Sequence, residues 1–159
     1  MKLTTKGRYA VMALAELAAR QSARPVPLAD IAERQDISLS YLEQLFARMR
    51  RAGLVKSVRG PGGGYLLARD HDAIPIADIV RAVEESGASS RCAPGDPRSC
   101  RCAANASGAM AEPCVTHDLW RALGEEVEAF LTRVSLDDVL SGALASRSDD
   151  APDMLAAGE

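Results

Sequence analysis

The sequence predicts a mainly α fold carrying a single two-stranded β-hairpin and, ahead of its long C-terminal helix, an extended loop that bears the cysteines. Three observations predict it. Apolar residues recur at helical spacing through several separate stretches. Two short strand-like runs, 54–58 and 65–69, flank the glycine-rich residues 59–64. No hydrophobic pattern runs through 87–113, yet Cys92, Cys100 and Cys102 fall inside that segment and Cys114 just beyond it, which marks the loop as functional.

A chain of 159 residues, 47% of them hydrophobic, can bury one modest core. Its longest apolar run, Ala10 to Ala19, is interrupted by Glu16 and falls short of the roughly 20 residues that span a bilayer, so no membrane role is expected. Lys2, Lys6 and Arg8 ahead of that run imitate a signal peptide, but Glu16 lies inside it and the small residues come too early for cleavage. A cytoplasmic location is therefore expected. Thiols stay reduced there, so four cysteines point to metal or redox chemistry rather than disulfides.

The formal charge of -3 conceals an asymmetry. Residues 1–69 hold 12 Lys and Arg against 5 Asp and Glu, a net +7, whereas the remainder holds 7 against 17, a net -10. A basic front half is the electrostatic footprint of a phosphate-bearing partner.

Thr5 can cap a first helix that runs through Tyr9, Val11, Leu14 and Leu17 to about Gln21. Pro25-Val26-Pro27 then forces an extended segment, and Leu28, Ile31 and Ala32 mark a short second helix ending near Asp36. A third helix follows almost at once. Ser38 or Ser40 can cap it, Ser40 and Glu43 being spaced as a capping box, and Leu39, Leu42, Leu45, Phe46 and Met49 form its apolar face. The opposite face presents Ser40, Gln44, Ala47 and Arg51, flanked by Glu43 and Arg48.

Two helices across a tight turn make a helix-turn-helix, and Gly53 closes the second of them. The hairpin 54–69 is its wing. Arg59 at the tip suits a narrow minor groove, and the following glycines let backbone lie against phosphate. The same loop lacks the Lys-Ser/Thr pair of a P-loop and the spacing of a dinucleotide fingerprint. Ser38, Ser40, Tyr41, Glu43 and Gln44 are thus assigned to base edges of double-stranded DNA, and Arg48, Arg51 and Lys56 to phosphates.

Pro75 starts a fourth helix over Ile74–Val83, and His71, between Asp70 and Asp72, reads as a solvated turn residue. Thr116 can cap the long helix, whose stripe of Leu119, Trp120, Leu123, Val127, Phe130, Leu131 and Val134 finds no second long helix to cover it. Part of that stripe is therefore expected on its own domain and part on a second subunit, as a homodimer. Ser135 begins a last short helix. The chain divides into a winged helix-turn-helix over 1–84, a cysteine-bearing loop over 85–116, a dimerisation helix with a short terminal helix over 117–145, and a disordered tail over 146–159.

Cys114 and His117 form a Cys-x-x-His pair at the start of the long helix, where backbone dipoles favour a thiolate. With Cys92, Cys100 and Cys102, five donors are available where zinc or a [2Fe-2S] cluster takes four. Without a Cys-x-x-Cys repeat the spacing leaves both open. No nucleophile with a paired base appears, so the chain is not expected to be an enzyme.

Residues 1 to about 140 resemble the Rrf2 family of winged-helix transcription regulators, its iron-sulfur cluster regulators in particular. The resemblance is carried by LTTKGRYA at 3–10, ISLSYLEQLF at 37–46, VRGPGGGY at 58–65 and THDLW at 116–120. It implies a dimer that holds a [2Fe-2S] cluster through three cysteines and a histidine and controls iron-sulfur biogenesis genes, with the cluster-assembly machinery as donor. Carried over by position, Cys92, Cys114 and His117 are ligands. The loop here is longer than is usual in the family, and Cys100 is favoured as the middle ligand by its nearness to Cys92, with Cys102 possible in its place. Nitric-oxide-responsive relatives use an acidic ligand near the N-terminus, where this chain has Arg8. The alternative is a zinc-stabilised or nitric-oxide- and redox-responsive repressor of the same family.

Overall fold

The computed structural model describes residues 4–20, 24–84 and 116–144. Cys92, Cys100, Cys102 and Cys114, and the tail from 146, lie outside the described residues. Along the described chain run α1 (Thr5–Arg20), α2 (Leu28–Gln35), α3 (Leu39–Arg51), β1 (Val55–Val58), β2 (Gly64–Leu67), α4 (Ile76–Val83), α5 (His117–Arg133) and α6 (Leu136–Leu140). This is the winged helix-turn-helix that the sequence predicts.

The apolar stripes of α1, α3 and α4 converge on one core, in which Leu14, Leu17, Leu42, Phe46, Met49 and Ile79 are fully buried. Gly7 lies where α1 packs on α4, and a Cβ there would meet Val80 Cγ1 at 3.4 Å, an ordinary packing distance. Thr4 rather than Thr5 serves the start of α1. Its hydroxyl accepts from the Lys6 N–H at 3.2 Å and donates to the Glu84 carboxylate just past α4.

Both helices of the helix-turn-helix end in a left-handed residue. Asp36 adopts φ 51° after α2, and the Ile37 N–H closes back on Ala32 O at 3.0 Å. After α3 it is Gly53, at φ 70°, with Gly53 N–H on Arg50 O and Leu54 N–H on Met49 O. This paired closure seals the last carbonyls of the helix and buries Leu54 beside it. At its other end α3 is capped by Ser38, one of the two serines expected, but Ser40 lies inside the helix and so forms no capping box with Glu43, and the Ser38 side chain makes no cap hydrogen bond.

The wing pairs Val55 with Leu67 and Val58 with Gly64 in antiparallel register. Val26, in the extended segment before α2, adds a third partner: Val26 N–H donates to Tyr65 O at 2.9 Å and Tyr65 N–H to Val26 O at 2.8 Å. The hairpin is thereby anchored to the helical body.

The C-terminal helices return to the same core. Ile76 N–H donates to Val134 O and Leu136 N–H to Ile74 O, both at 2.9 Å, which fixes the α5–α6 junction against the start of α4. Ser135 and Asp138 form the reciprocal capping box of α6. The Arg81 guanidinium of α4 also bonds Glu128 of α5 and holds that carboxyl below its ordinary value. His71 is an exposed turn residue, as expected; it opens a 3-10 turn, with its Nδ1 3.1 Å from Asp137 Oδ1 on α6.

Candidate nucleic-acid interface

The surface of α3 is set by what covers its flanks. At about 100° per residue, Ser40, Gln44, Ala47 and Arg51 lie along the middle of the outward face. Leu39, Glu43 and Arg50 form one edge of it, and Tyr41 and Arg48 the other. Ser38, Ser40, Glu43, Gln44 and Arg51 are exposed. The Tyr41 edge is turned inward: Tyr41 is half-buried, its ring meeting Tyr9 of α1 edge-on at 6.1 Å. Arg48 donates from Nη1 to Val83 O at 2.7 Å.

That contact engages one nitrogen of Arg48, a residue that the sequence reading assigns to phosphate. Val83 ends α4, and its carbonyl has no partner within its own helix, so the guanidinium satisfies a helix terminus. Arg50, which sequence reasoning passed over, takes the outward place. It is exposed, and its Nη1 reaches Ser57 Oγ on the wing at 3.4 Å. The signal for Arg50 was present in the helical spacing. It was masked by reading Leu39, which begins the same edge three turns earlier, as core, whereas Leu39 is 43% exposed.

On the wing, Lys56 and Arg59 are exposed. Gly60 and Gly62 take φ of 105° and 74°, the left-handed conformations that turn the tip. Ser40, Gln44 and Arg51 on α3 and Lys56 and Arg59 on the wing thus stand on exposed elements joined through Arg50 and Ser57. Polar groups at the start of a helix with cations at its end and on an adjoining hairpin can read base edges while neutralising flanking phosphates.

A salt titration separates the two arginines. Arg51→Ala should weaken all duplexes alike and lower the slope of log affinity against log salt by about one. Arg48→Ala should leave that slope unchanged and instead lower stability by about 1–2 kcal/mol, through the lost charge-assisted bond to Val83. A reduced slope for Arg48→Ala would return that residue to the phosphates.

His117 is the first residue of α5. Among the described residues no three His, Cys, Asp or Glu side chains converge as metal ligands, and no helix is long and apolar enough to cross a membrane.

Comparison with known proteins decides the family. The Rrf2 model, described as an iron-dependent transcriptional regulator, matches residues 3–142. The chain belongs to the Rrf2 family. The HTH-type transcriptional regulator IscR of Xenorhabdus nematophila is 50% identical over 140 residues, covering 88% of this chain and 79% of that protein. The regulator of the same name from Escherichia coli K12 is 48% identical over 142 residues, covering 89% and 81%. Among solved structures, T. potens IscR superposes with a TM-score of 0.68 at 37% identity, covering 92% of this chain and 91% of that one. CymR, the global cysteine regulator of B. subtilis, does so with 0.67 at 35% identity, covering 89% and 97%. This Rrf2 protein is a transcription regulator, a DNA-binding protein and not an enzyme.

Proposed function

We propose that this Rrf2 protein senses iron-sulfur cluster supply, binding operator DNA as a homodimer in the cytoplasm and controlling cluster-biogenesis genes according to [2Fe-2S] occupancy. The observation that supports the proposal is the place of His117 in the chain relative to the DNA-facing helix. His117 opens α5, and α5 ends in the core beside α4. The last carbonyl of α4 holds Arg48 of α3. A change in how the start of α5 is held therefore has a packed route to the recognition helix.

The donor set fits the group. Cys92, Cys100 and Cys114 with His117 supply three thiolates and an imidazole, the soft and borderline ligands that iron-sulfur centres take, and Cys102 can replace Cys100. When bound, the cluster supplies an iron-sulfide centre whose presence follows the cell's iron and sulfur supply. The cluster-assembly machinery is its donor.

Dimerisation draws on the uncovered part of α5. Leu131 and Val134 are buried against the core, but Leu119, Trp120, Leu123 and Phe130 remain 50–61% exposed. The same helix of a second subunit would cover them and set two copies of α3 at the separation of successive major grooves. Gln44 then reads bases, and Arg59 enters the minor groove.

Anaerobic purification tests the reading. Wild type should contain iron and sulfide and show charge-transfer absorbance. The Cys92→Ala, Cys114→Ala and His117→Ala variants should each lose most of that absorbance and change operator affinity. Bleaching by Cys100→Ala but not by Cys102→Ala would assign Cys100 as the middle ligand, and the reverse would assign Cys102. A preparation free of iron and sulfide, whose operator binding ignores all three ligand substitutions, would refute the proposal.

A further inference from the structure

We infer that Leu39 is a base-reading residue, packing its side chain against the 5-methyl group of a thymine in the major groove. The inference rests on α3 being the DNA-reading helix and names one chemical group that it reads. Leu42 and Leu45 on the same helix are at most 2% exposed, whereas Leu39 is 43% exposed and packs against no part of the described core. Its outward direction is built in by the turn. Ile37 is buried with its N–H bonded to Ala32 O, and Leu42 N–H closes the first turn of α3 on Ser38 O at 3.0 Å.

An isolated exposed leucine means little on most surfaces. This one stands in the first turn of the helix, the end that such helices direct at base edges. It also shares its edge of α3 with exposed Glu43, one turn on. A carboxylate is repelled by phosphate, so this part of the edge faces bases, while Arg50 and Arg51 at the other end of the helix meet the backbone. The thymine methyl is the apolar group that base pairs display in the major groove. An apolar side chain held there has that methyl as its natural contact.

The probe is a duplex selected from a random library by the full-length wild-type protein, with each thymine replaced in turn by uracil, which deletes only the methyl. At one thymine in each half-site, uracil should weaken wild type by about three- to fivefold, the effect of one buried methyl. Leu39→Ala should bind that parent duplex more weakly by a similar or larger factor and be indifferent to uracil at that position. Its melting curve should match wild type, because the side chain supports no core. Sensitivity to uracil that is equal in both proteins at every position, or absent from wild type, would overturn the assignment. Gln44→Ala, selected in parallel, separates the two levels. A changed base preference in Gln44→Ala with a flat uracil scan would reject Leu39 alone, and failure of wild type to select any duplex would reject the DNA-reading helix and Leu39 together.

Discussion

Replacing Phe46 by alanine should lower the stability of the protein by about 3–5 kcal/mol, the range for truncating a fully buried aromatic ring. That is a large part of the 5–15 kcal/mol that typically holds a domain of this size together. Phe46 has no exposed surface, and its ring meets Tyr65 edge-on at a centroid distance of 4.9 Å and an interplanar angle of 72°. It lies on the underside of α3, and Tyr65 lies in β2, so the pair joins recognition helix to wing. Truncation leaves a cavity at that joint and removes an aromatic contact worth about 0.5–1.5 kcal/mol beyond its area. A urea titration should show a lower midpoint with little change in slope. Operator affinity should fall for all sequences together, since both DNA-facing elements lose their common support. Phe46→Leu, which keeps most of the volume, should retain most of the stability. A loss below about 1 kcal/mol for the alanine variant would mean that the ring is not packed as described.

Gly64→Ala should cost about 2–4 kcal/mol, more than its size suggests, because the methyl would enter the backbone of a neighbouring segment. A Cβ on Gly64 would lie 2.5 Å from the carbonyl carbon of Val26 and closer still to its oxygen. The mutual hydrogen bonds of Val26 and Tyr65 would have to break or shift, each worth about 1 kcal/mol, and the wing would come away from the helical body. Gly62 offers the contrast. It needs its glycine for a φ of 74° but has open space around it, so Gly62→Ala should cost only about 1 kcal/mol. Thermal melts of the two variants decide between them. If Gly64→Ala melted with wild type, the close approach of Val26 to Gly64 would be refuted.

The glycine-rich tip illustrates how far sequence reasoning reached. Turn chemistry located the hairpin and its loop to within a residue or two, and Gly60 and Gly62 adopt the positive φ that was anticipated. Gly64 is required for another reason, its contact with Val26, and no local rule couples two segments so far apart in the chain. The recognition helix shows the same division. Its periodicity identified Leu42, Leu45, Phe46 and Met49 as core and placed Ser40, Gln44 and Arg51 outside, as found. One edge was misjudged, because Leu39 faces solvent, and on the other Arg48 answers the carbonyl that ends α4.

By itself the sequence determined the helices and the wing of this protein, the division between a basic front and an acidic back, and the motifs that mark it as an Rrf2 regulator. Hydrophobic periodicity, glycine turns and charge are properties of neighbouring residues, so they survive being read as a string. Tertiary structure alone decided which edge of α3 faces outward, which arginine is spent on a helix terminus, and which part of the α5 stripe stays uncovered. Those outcomes depend on what another element places alongside, and a side chain near the boundary of a helical face goes inward or outward according to that neighbour.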